Sequence, residues 1–272
     1  MAKRYVRVKT PQGQVLYGLL QLNWEVQIID APAWLGGQPT GEILEPDGYQ
    51  LLTPCAPSKI VAVGHNYAAH AAEFNQAVPP EPLLFLKPPS SLVAHQQNIV
   101  YPIPCQQLEF EGELALVIGD RLHHCSEEEA HQKIWGYTIA NDVTARDLQR
   151  QDAQWTRAKG FDTFCPLGPW IVREISPDAR LRTYINYVKT EESETAPVQD
   201  ASIQDMVFSL AQLVSYISQV MTLLPGDVIL TGTPAGVKPI QVGDRLLITI
   251  EGIGALENPI VAPLESATPP LS

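Results

Sequence analysis

The sequence predicts an α+β, β-rich fold: a mixed β-roll or sandwich with flanking helices, preceded by a small N-terminal β domain. Segments with strand patterning far outnumber segments with helical patterning. The strands do not alternate regularly with long helices, which disfavours a Rossmann fold or a TIM barrel. Pro54 and Pro57 mark a break between a run of short strands and a longer chain that opens on a buried strand.

The N-terminal domain, residues 1–55, reads as short strands at 5–9, 15–20 and 26–30, separated by Gly, Pro and Asn. The larger second domain, residues 56–272, begins with an apolar strand at 60–63, followed by strands at 83–86 and 113–118. Ser126 with Glu129 forms a capping box for a helix through Ile134, and a strand covers 137–140. Thr144 with Asp147 reads as a second capping box, for a helix running to about Lys159, where Gly160 stops it. Ser202 caps a helix on which Met206, Leu210, Leu213, Val214 and Ile217 recur at helical spacing. Pro225-Gly226-Asp227 turns into a strand at 228–231, and Gly243-Asp244 into a strand at 245–250.

A chain of 272 residues that is 45% hydrophobic and 18% charged is an ordinary globular protein, long enough to bury a core. Its formal charge of -12, with no basic patch, argues against a nucleic-acid partner. The same charge opposes an anionic substrate, so a local cation must reverse the field at any site for an acid. Cys55, Cys105, Cys125 and Cys165 are far apart and form no CxxC pair, which reads as reduced thiols in a cytoplasmic protein. The N-terminus has no apolar signal core, and no apolar run is long enough to span a membrane.

The strongest local signal is LEFEGELALVIGD. Glu109, Glu111 and Glu113 are two apart, which on a strand places all three on one face, with Phe110, Leu114, Leu116 and Ile118 on the other. Ala115 and Val117 continue the acidic face as apolar residues, so that face is not simply solvated. Asp142 stands at the end of the next strand. These acids are hard oxygen donors, suited to Mg²⁺ or Mn²⁺ rather than zinc. In VGHNYAAHAAEF, His70 and Glu73 are three apart on a short helix, and a carboxylate beside an imidazole orients it and raises its basicity. Taken singly, Lys87, Arg146, Gln149 and Lys159 read as ordinary solvent-facing side chains on spacing alone. His95, His123, His124 and His131 are bystanders, and Trp135 and Trp155 are expected in the core. The small-residue turn TGTPAG, from Thr231 to Gly236, offers hydroxyls and amides for a carboxylate but lacks the Lys-Ser/Thr of a P-loop.

Seven stretches, VAVGHNYAAHAAE, LFLKPPSSL, FEGELALVIG, WGYTIANDVTARDLQ, AKGFDTFCPLGPW, LLPGDVILTGTPAGV and IEGIGALENPI, run in order over about residues 58–262 and resemble the fumarylacetoacetate hydrolase family. The similarity is to the subgroup of acylpyruvases, oxaloacetate decarboxylases and diene-dioate isomerases. It implies that Glu111, Glu113 and Asp142 hold Mg²⁺ or Mn²⁺, and that His70 with Glu73 activates water. It implies that Lys159 contacts substrate oxygens, that Arg146 and Gln149 lie on the substrate side, and that Thr231 or Thr233 binds the substrate carboxylate. It further implies a mixed β-sandwich roll, a homodimer and a small oxo-acid substrate. The expected activity is metal-dependent hydrolysis of a C–C bond in an acylpyruvate-like 1,3-dicarbonyl acid through a metal-stabilised enolate. Oxaloacetate decarboxylation or tautomerisation, and isomerisation or decarboxylation of a dioic acid from aromatic degradation, share that enolate and stay open. His65 departs from the pattern, standing where Arg, Lys or Leu is usual, and Glu109 is read as lying behind the metal ligands or on the surface.

Overall fold

In the computed structural model, residues 2–73, 76–190 and 193–263 are described. Residues 264–272, the end of the expected catalytic segment, lie outside them.

The N-terminal region is β1 (Arg4–Lys9), β2 (Val15–Leu20), β3 (Val26–Ile29), β4 (Pro39–Leu44) and β5 (Gln50–Leu51). Then follow β6 (Ile60–Gly64), α1 (Ala68–Glu73), β7 (Leu83–Lys87), β8 (Leu92–Val93), β9 (Ile99–Val100), β10 (Leu108–Glu109) and β11 (Gly112–Ile118). The centre of the chain is α2 (Glu127–Lys133), β12 (Ile134–Asn141), β13 (Thr144–Ala145), α3 (Arg146–Gln151), α4 (Thr156–Lys159) and β14 (Cys165–Val172). It closes with β15 (Arg180–Ile185), β16 (Gln199–Ser202), α5 (Leu210–Val220), β17 (Val228–Leu230), β18 (Arg245–Ile250) and β19 (Gly254–Val261). No helix among the described residues is long and apolar enough to cross a membrane.

The β-rich expectation holds. The larger sheet has the order β4-β3-β2-β1-β14-β12-β11-β17-β6-β7, and a second sheet has the order β16-β15-β18-β19-β9. The N-terminal strands join the larger sheet rather than standing apart, because β1 pairs with β14 at Tyr5 and Ile171. Every residue of β11 is buried. Leu114, Leu116 and Ile118 pack on one side with Leu213, Val214 and Ile217 of α5 and with Leu181, Ile248 and Ile250 of the second sheet. Ala115 and Val117 pack on the other with Ile60, Ala62, Cys165 and Leu230. Burial on both faces explains why the strand reads as a continuous apolar run after its acids.

Topology gathers chain ends at one edge of this core. β11 runs antiparallel to β12 and to β17, while β17 runs parallel to β6. The start of β11 therefore meets the ends of β12, β17 and β6. Glu111 and Glu113, then Asp142, then Thr231 and Thr233, and then His65 come from those four places.

Two helix expectations are corrected. Ser126 caps α2 with a full capping box, as expected, but Thr144 caps nothing. Its hydroxyl donates to the Asp142 carbonyl at 2.9 Å, Thr144–Ala145 pairs with β10, and the expected helix splits into α3 and α4. The Asp147 carboxylate accepts instead from the Gln106 and Gln107 amides and the Cys105 thiol. Likewise Ser202 caps only a short 3₁₀ turn, residues 203–205, and Ser209 caps the longer helix α5 through Gln212. Neither Trp135 nor Trp155 is fully buried, although Trp135 packs against the core around Ala115 and Val117. Trp135 is half-buried, with Tyr5 and Trp34 of the N-terminal strands edge-on to its ring, and Trp155 stands beside Phe85 and His65.

Candidate active site

The three acids converge. Ligand oxygens of Glu111, Glu113 and Asp142 lie within 4.8 Å of one another, and all three residues are buried. Glu111 sits in the break between β10 and β11, where its backbone N–H donates to Asn141 Oδ1 at 3.0 Å and its carbonyl accepts from the Asp142 N–H at 2.9 Å. The backbone thereby locks the first acid to the third. Glu113 Oε2 accepts from the Gly232 N–H at 2.7 Å. Position 232 requires glycine, because φ is +98° and a Cβ there would stand 2.7 Å from the Cβ of Asn66. Asn66 holds the same turn by donating to the Thr231 carbonyl at 2.8 Å.

Buried cations answer the acids. Lys159 Nζ donates to Glu111 at 2.8 Å and to Asp142 at 2.6 Å. Arg146 donates to Glu109 at 2.7 Å, to Glu111 at 2.6 Å and to Gln149 at 2.7 Å. Lys87 Nζ donates to Asp142 at 2.5 Å and to the Lys159 carbonyl at 2.6 Å. Lys87 and Arg146 are thus buried members of the cluster, not surface charges, and Glu109 is the buried partner of Arg146. Four carboxylates face three cations, which leaves one formal negative charge.

The titration preferences follow from this arrangement. Burial alone pushes the Glu111 carboxyl up, but Lys159, Arg146 and His70 outweigh it and hold the group well below its ordinary value. Glu113 goes the other way: burial, then the neighbouring Asp142 and Glu111, raise it well above its ordinary value against the pull of the Gly232 N–H and Lys159. The Lys159 ammonium is disfavoured by burial, yet Asp142 and Glu111 raise its pKa. A carboxyl pushed up by burial and by neighbouring negative charge suits a divalent cation, whose charge offsets both. The donor set, carboxylate oxygen without thiolate, fits Mg²⁺ or Mn²⁺.

A cavity of about 210 Å³ opens on Glu111 and Glu113. Arg146, Lys159, His70 and Thr233 line it, together with Val63, Phe85, Trp155, His65 and Gln149. At the same cavity His70 Nδ1 lies 3.2 Å from Glu73 Oε2, while Glu73 Oε1 accepts from the Gly236 N–H at 2.8 Å. One carboxylate therefore orients the imidazole and ties α1 to the turn after β17. Of the two threonines, Thr233 lines the cavity and Thr231 does not. The Thr231 hydroxyl donates to the Leu114 carbonyl, and that of Thr233 donates to the Gly112 carbonyl while accepting from Gln199.

Sequence reasoning missed Lys87, Asn66 and Gln199. Lys87 directly follows an apolar strand core and precedes Pro88, and that position was the one available signal. Nothing local marked the other two, whose partners lie far along the chain.

Fold and cavity together define an oxygen-donor site for a small molecule, built where strand ends meet at one edge of a mixed β-roll. The chain belongs to the fumarylacetoacetate hydrolase family: the model for the Fumarylacetoacetate (FAA) hydrolase C-terminal family matches residues 59–261, and that for the Rv2993c-like N-terminal region matches 3–54. It is an enzyme of that superfamily. The chain is 43% identical over 204 residues to the mitochondrial oxaloacetate tautomerase FAHD1 of Arabidopsis thaliana, covering 74% of this chain and 89% of that one. It superposes with a TM-score of 0.86 and 42% identity on 5-carboxymethyl-2-hydroxymuconate delta-isomerase from Mycobacterium smegmatis, covering 96% of this chain and 100% of that one. With fumarylpyruvate hydrolase from Pseudomonas aeruginosa, solved in complex with Mn²⁺ and pyruvate, the TM-score is 0.70 and the identity 30%, covering 79% of this chain and 92% of that one.

Proposed function

We propose that this protein hydrolyses the carbon–carbon bond of an acylpyruvate-like 1,3-dicarbonyl acid, with Mg²⁺ or Mn²⁺ held by Glu111, Glu113 and Asp142. The observation that carries this reading is the His70–Glu73 pair, 3.2 Å apart, with His70 lining the same cavity as Glu111 and Glu113. When bound, the cation supplies a Lewis acid for the carboxylate and keto oxygens of a 2-oxo acid and favours the enolate of the departing piece.

The chain's own groups do the rest. Glu73 accepts from His70 Nδ1–H, which makes Nε2 the basic nitrogen, and Nε2 takes a proton from water as the water oxygen adds to the distal carbonyl carbon. The C–C bond then breaks with its electron pair going to the methylene carbon, and a proton delivered there completes pyruvate and a carboxylic acid. Lys159 and Arg146 face the three-carbon end and oppose the global charge. Counted with every carboxylate ionised, a bound divalent cation takes the cluster from one formal negative charge to one positive, which accommodates an anion in an acidic protein. Gln149 and the Thr233 turn bound the substrate.

A second reading is oxaloacetate tautomerisation on the same site, supported by the name of the Arabidopsis relative. There His70 moves a proton and no water adds.

The test is to strip the protein with EDTA and follow the ultraviolet absorbance of acetylpyruvate and of oxaloacetate, with and without added Mg²⁺ or Mn²⁺. Restored loss of acetylpyruvate supports the hydrolase, and a His70→Ala change should then lower its kcat by roughly 10²–10⁴-fold. Selective action on the keto–enol balance of oxaloacetate supports the second reading. Bound metal without turnover of either moves the proposal to a larger dioic acid, and failure to bind metal refutes the site.

A further inference from the structure

His65 directly follows β6 with φ at +57°, a conformation uncommon outside glycine, and its ring forms part of the cavity wall. The ring stacks on that of His70, with 6.1 Å between centroids and 24° between planes, and meets Trp155 edge-on at 6.3 Å. Its Nδ1 is buried and has no hydrogen-bond partner. A neutral imidazole has one N–H to place. A buried N–H without an acceptor is a rarer orphan than a bare acceptor, so the proton belongs on Nε2. Burial first, then the neighbouring His70, keeps the ring below its ordinary pKa range against the pull of Glu111, which leaves an uncharged donor at neutral pH. The reaction described above makes no use of it.

We propose that His65 determines specificity by donating a hydrogen bond from Nε2–H to the distal carbonyl oxygen of the substrate, on the carbonyl carbon that water attacks beside His70. The inference rests on the proposed placement of the substrate, with its 2-oxo acid end at the acid cluster. The two stacked imidazoles then serve the same carbonyl, one through water at carbon and the other at oxygen. A ligand that ends at the acid cluster gains nothing from His65, whereas a 2,4-dioxo acid does.

Two variants with one side-chain chemistry test this. His65→Asn tolerates positive φ but places its amide about where Nδ1 lies, while His65→Gln is one methylene longer and reaches about as far as Nε2. Wild type and both variants are assayed with Mn²⁺ on 2,4-dioxopentanoate, with oxalate as the short inhibitor, and melting curves check folding. We expect His65→Asn to lower kcat/KM for 2,4-dioxopentanoate by roughly tenfold or more, with His65→Gln within about threefold of wild type. Oxalate inhibition should stay within about twofold in all three proteins. If wild type binds 2,4-dioxopentanoate without cleaving it, the hydrolase reading fails but the contact is still read on the dissociation constant. Asn should then weaken binding roughly five- to tenfold and Gln should not. Equal losses in Asn and Gln, or an equal loss for oxalate, mean that the ring only packs, and overturn the proposal. Binding of neither ligand by wild type removes both the substrate placement and the inference built on it.

Discussion

Replacing Lys87 by Met tests the charge balance of the cluster. The Lys87 side chain is fully enclosed, and its ammonium donates to Asp142 at 2.5 Å, to the Lys159 carbonyl at 2.6 Å and to the Val143 carbonyl at 3.3 Å. Met occupies a similar volume and adapts to irregular space, so the cavity term is small and the effect isolates the charge. Breaking a buried ion pair by removing one partner costs about 3–5 kcal/mol. Lys159 still holds Asp142 at 2.6 Å, so the lower end, about 3 kcal/mol, is expected. In a chain of this size that is a fall in Tm of roughly 6–12 °C. Urea denaturation of EDTA-treated wild type and variant reads it directly. The variant also leaves the cluster with one more negative charge, so saturating Mn²⁺ should stabilise it by more than it stabilises wild type. An apo variant within about 1 kcal/mol of wild type, or equal stabilisation of the two by Mn²⁺, would refute the reasoning.

Two other consequences are open to measurement. Glu113, raised by burial and by Asp142 and Glu111, keeps its proton above the ordinary carboxylate range in the folded protein, so a divalent ion must displace that proton. Mn²⁺ affinity should therefore climb with pH through that window. The folded apo protein binds this proton more tightly than the unfolded chain does, so its stability should fall as pH rises from the ordinary carboxylate value through that of Glu113. Titration calorimetry at about pH 5.5 in two buffers of different ionisation enthalpy counts the released proton, and a count of zero refutes the assignment. All four cysteines are buried, and burial pushes the thiols of Cys55 and Cys165 up to about 12 and that of Cys105 up to about 11. At pH about 8 the native protein should react only slowly with a thiol reagent such as DTNB, and all four should react after unfolding. A fast equivalent in the native state would contradict the burial.

What could be read from the sequence was whatever the chain encodes over a few residues. Glu109, Glu111 and Glu113, running from β10 into β11, announced themselves by alternation, because extended chain shows its two faces every second residue and Ala115 and Val117 denied solvent to the acidic one. The Ser126 box was legible because both partners of the cap lie within one turn. Thr144 and Asp147 carry the same pattern and were misread. Asp147 found backbone donors some forty residues earlier, and Thr144 was drawn into a strand pair. Lys87 failed for a related reason: an isolated lysine reads as surface until the carboxylate that accepts it, 55 positions away, is known. His70 and Glu73 needed only three residues to be seen, but the tie from Glu73 to Gly236 spans the fold.

The seam between β1 and β14 has a consequence for the life of the protein outside its pocket. Pairing at Tyr5 and Ile171, with Tyr5 and Trp34 laid against Trp135, means that the first five strands cover a rim of the sheet that carries Asp142 on its neighbouring strand. An uncovered rim is a template for another chain. The N-terminal segment therefore moves the open rim from β14, beside the strand that leads to Asp142, out to β4, whose residues are almost all exposed. A truncation at residue 55 should appear in light scattering as aggregates rather than as a smaller working enzyme.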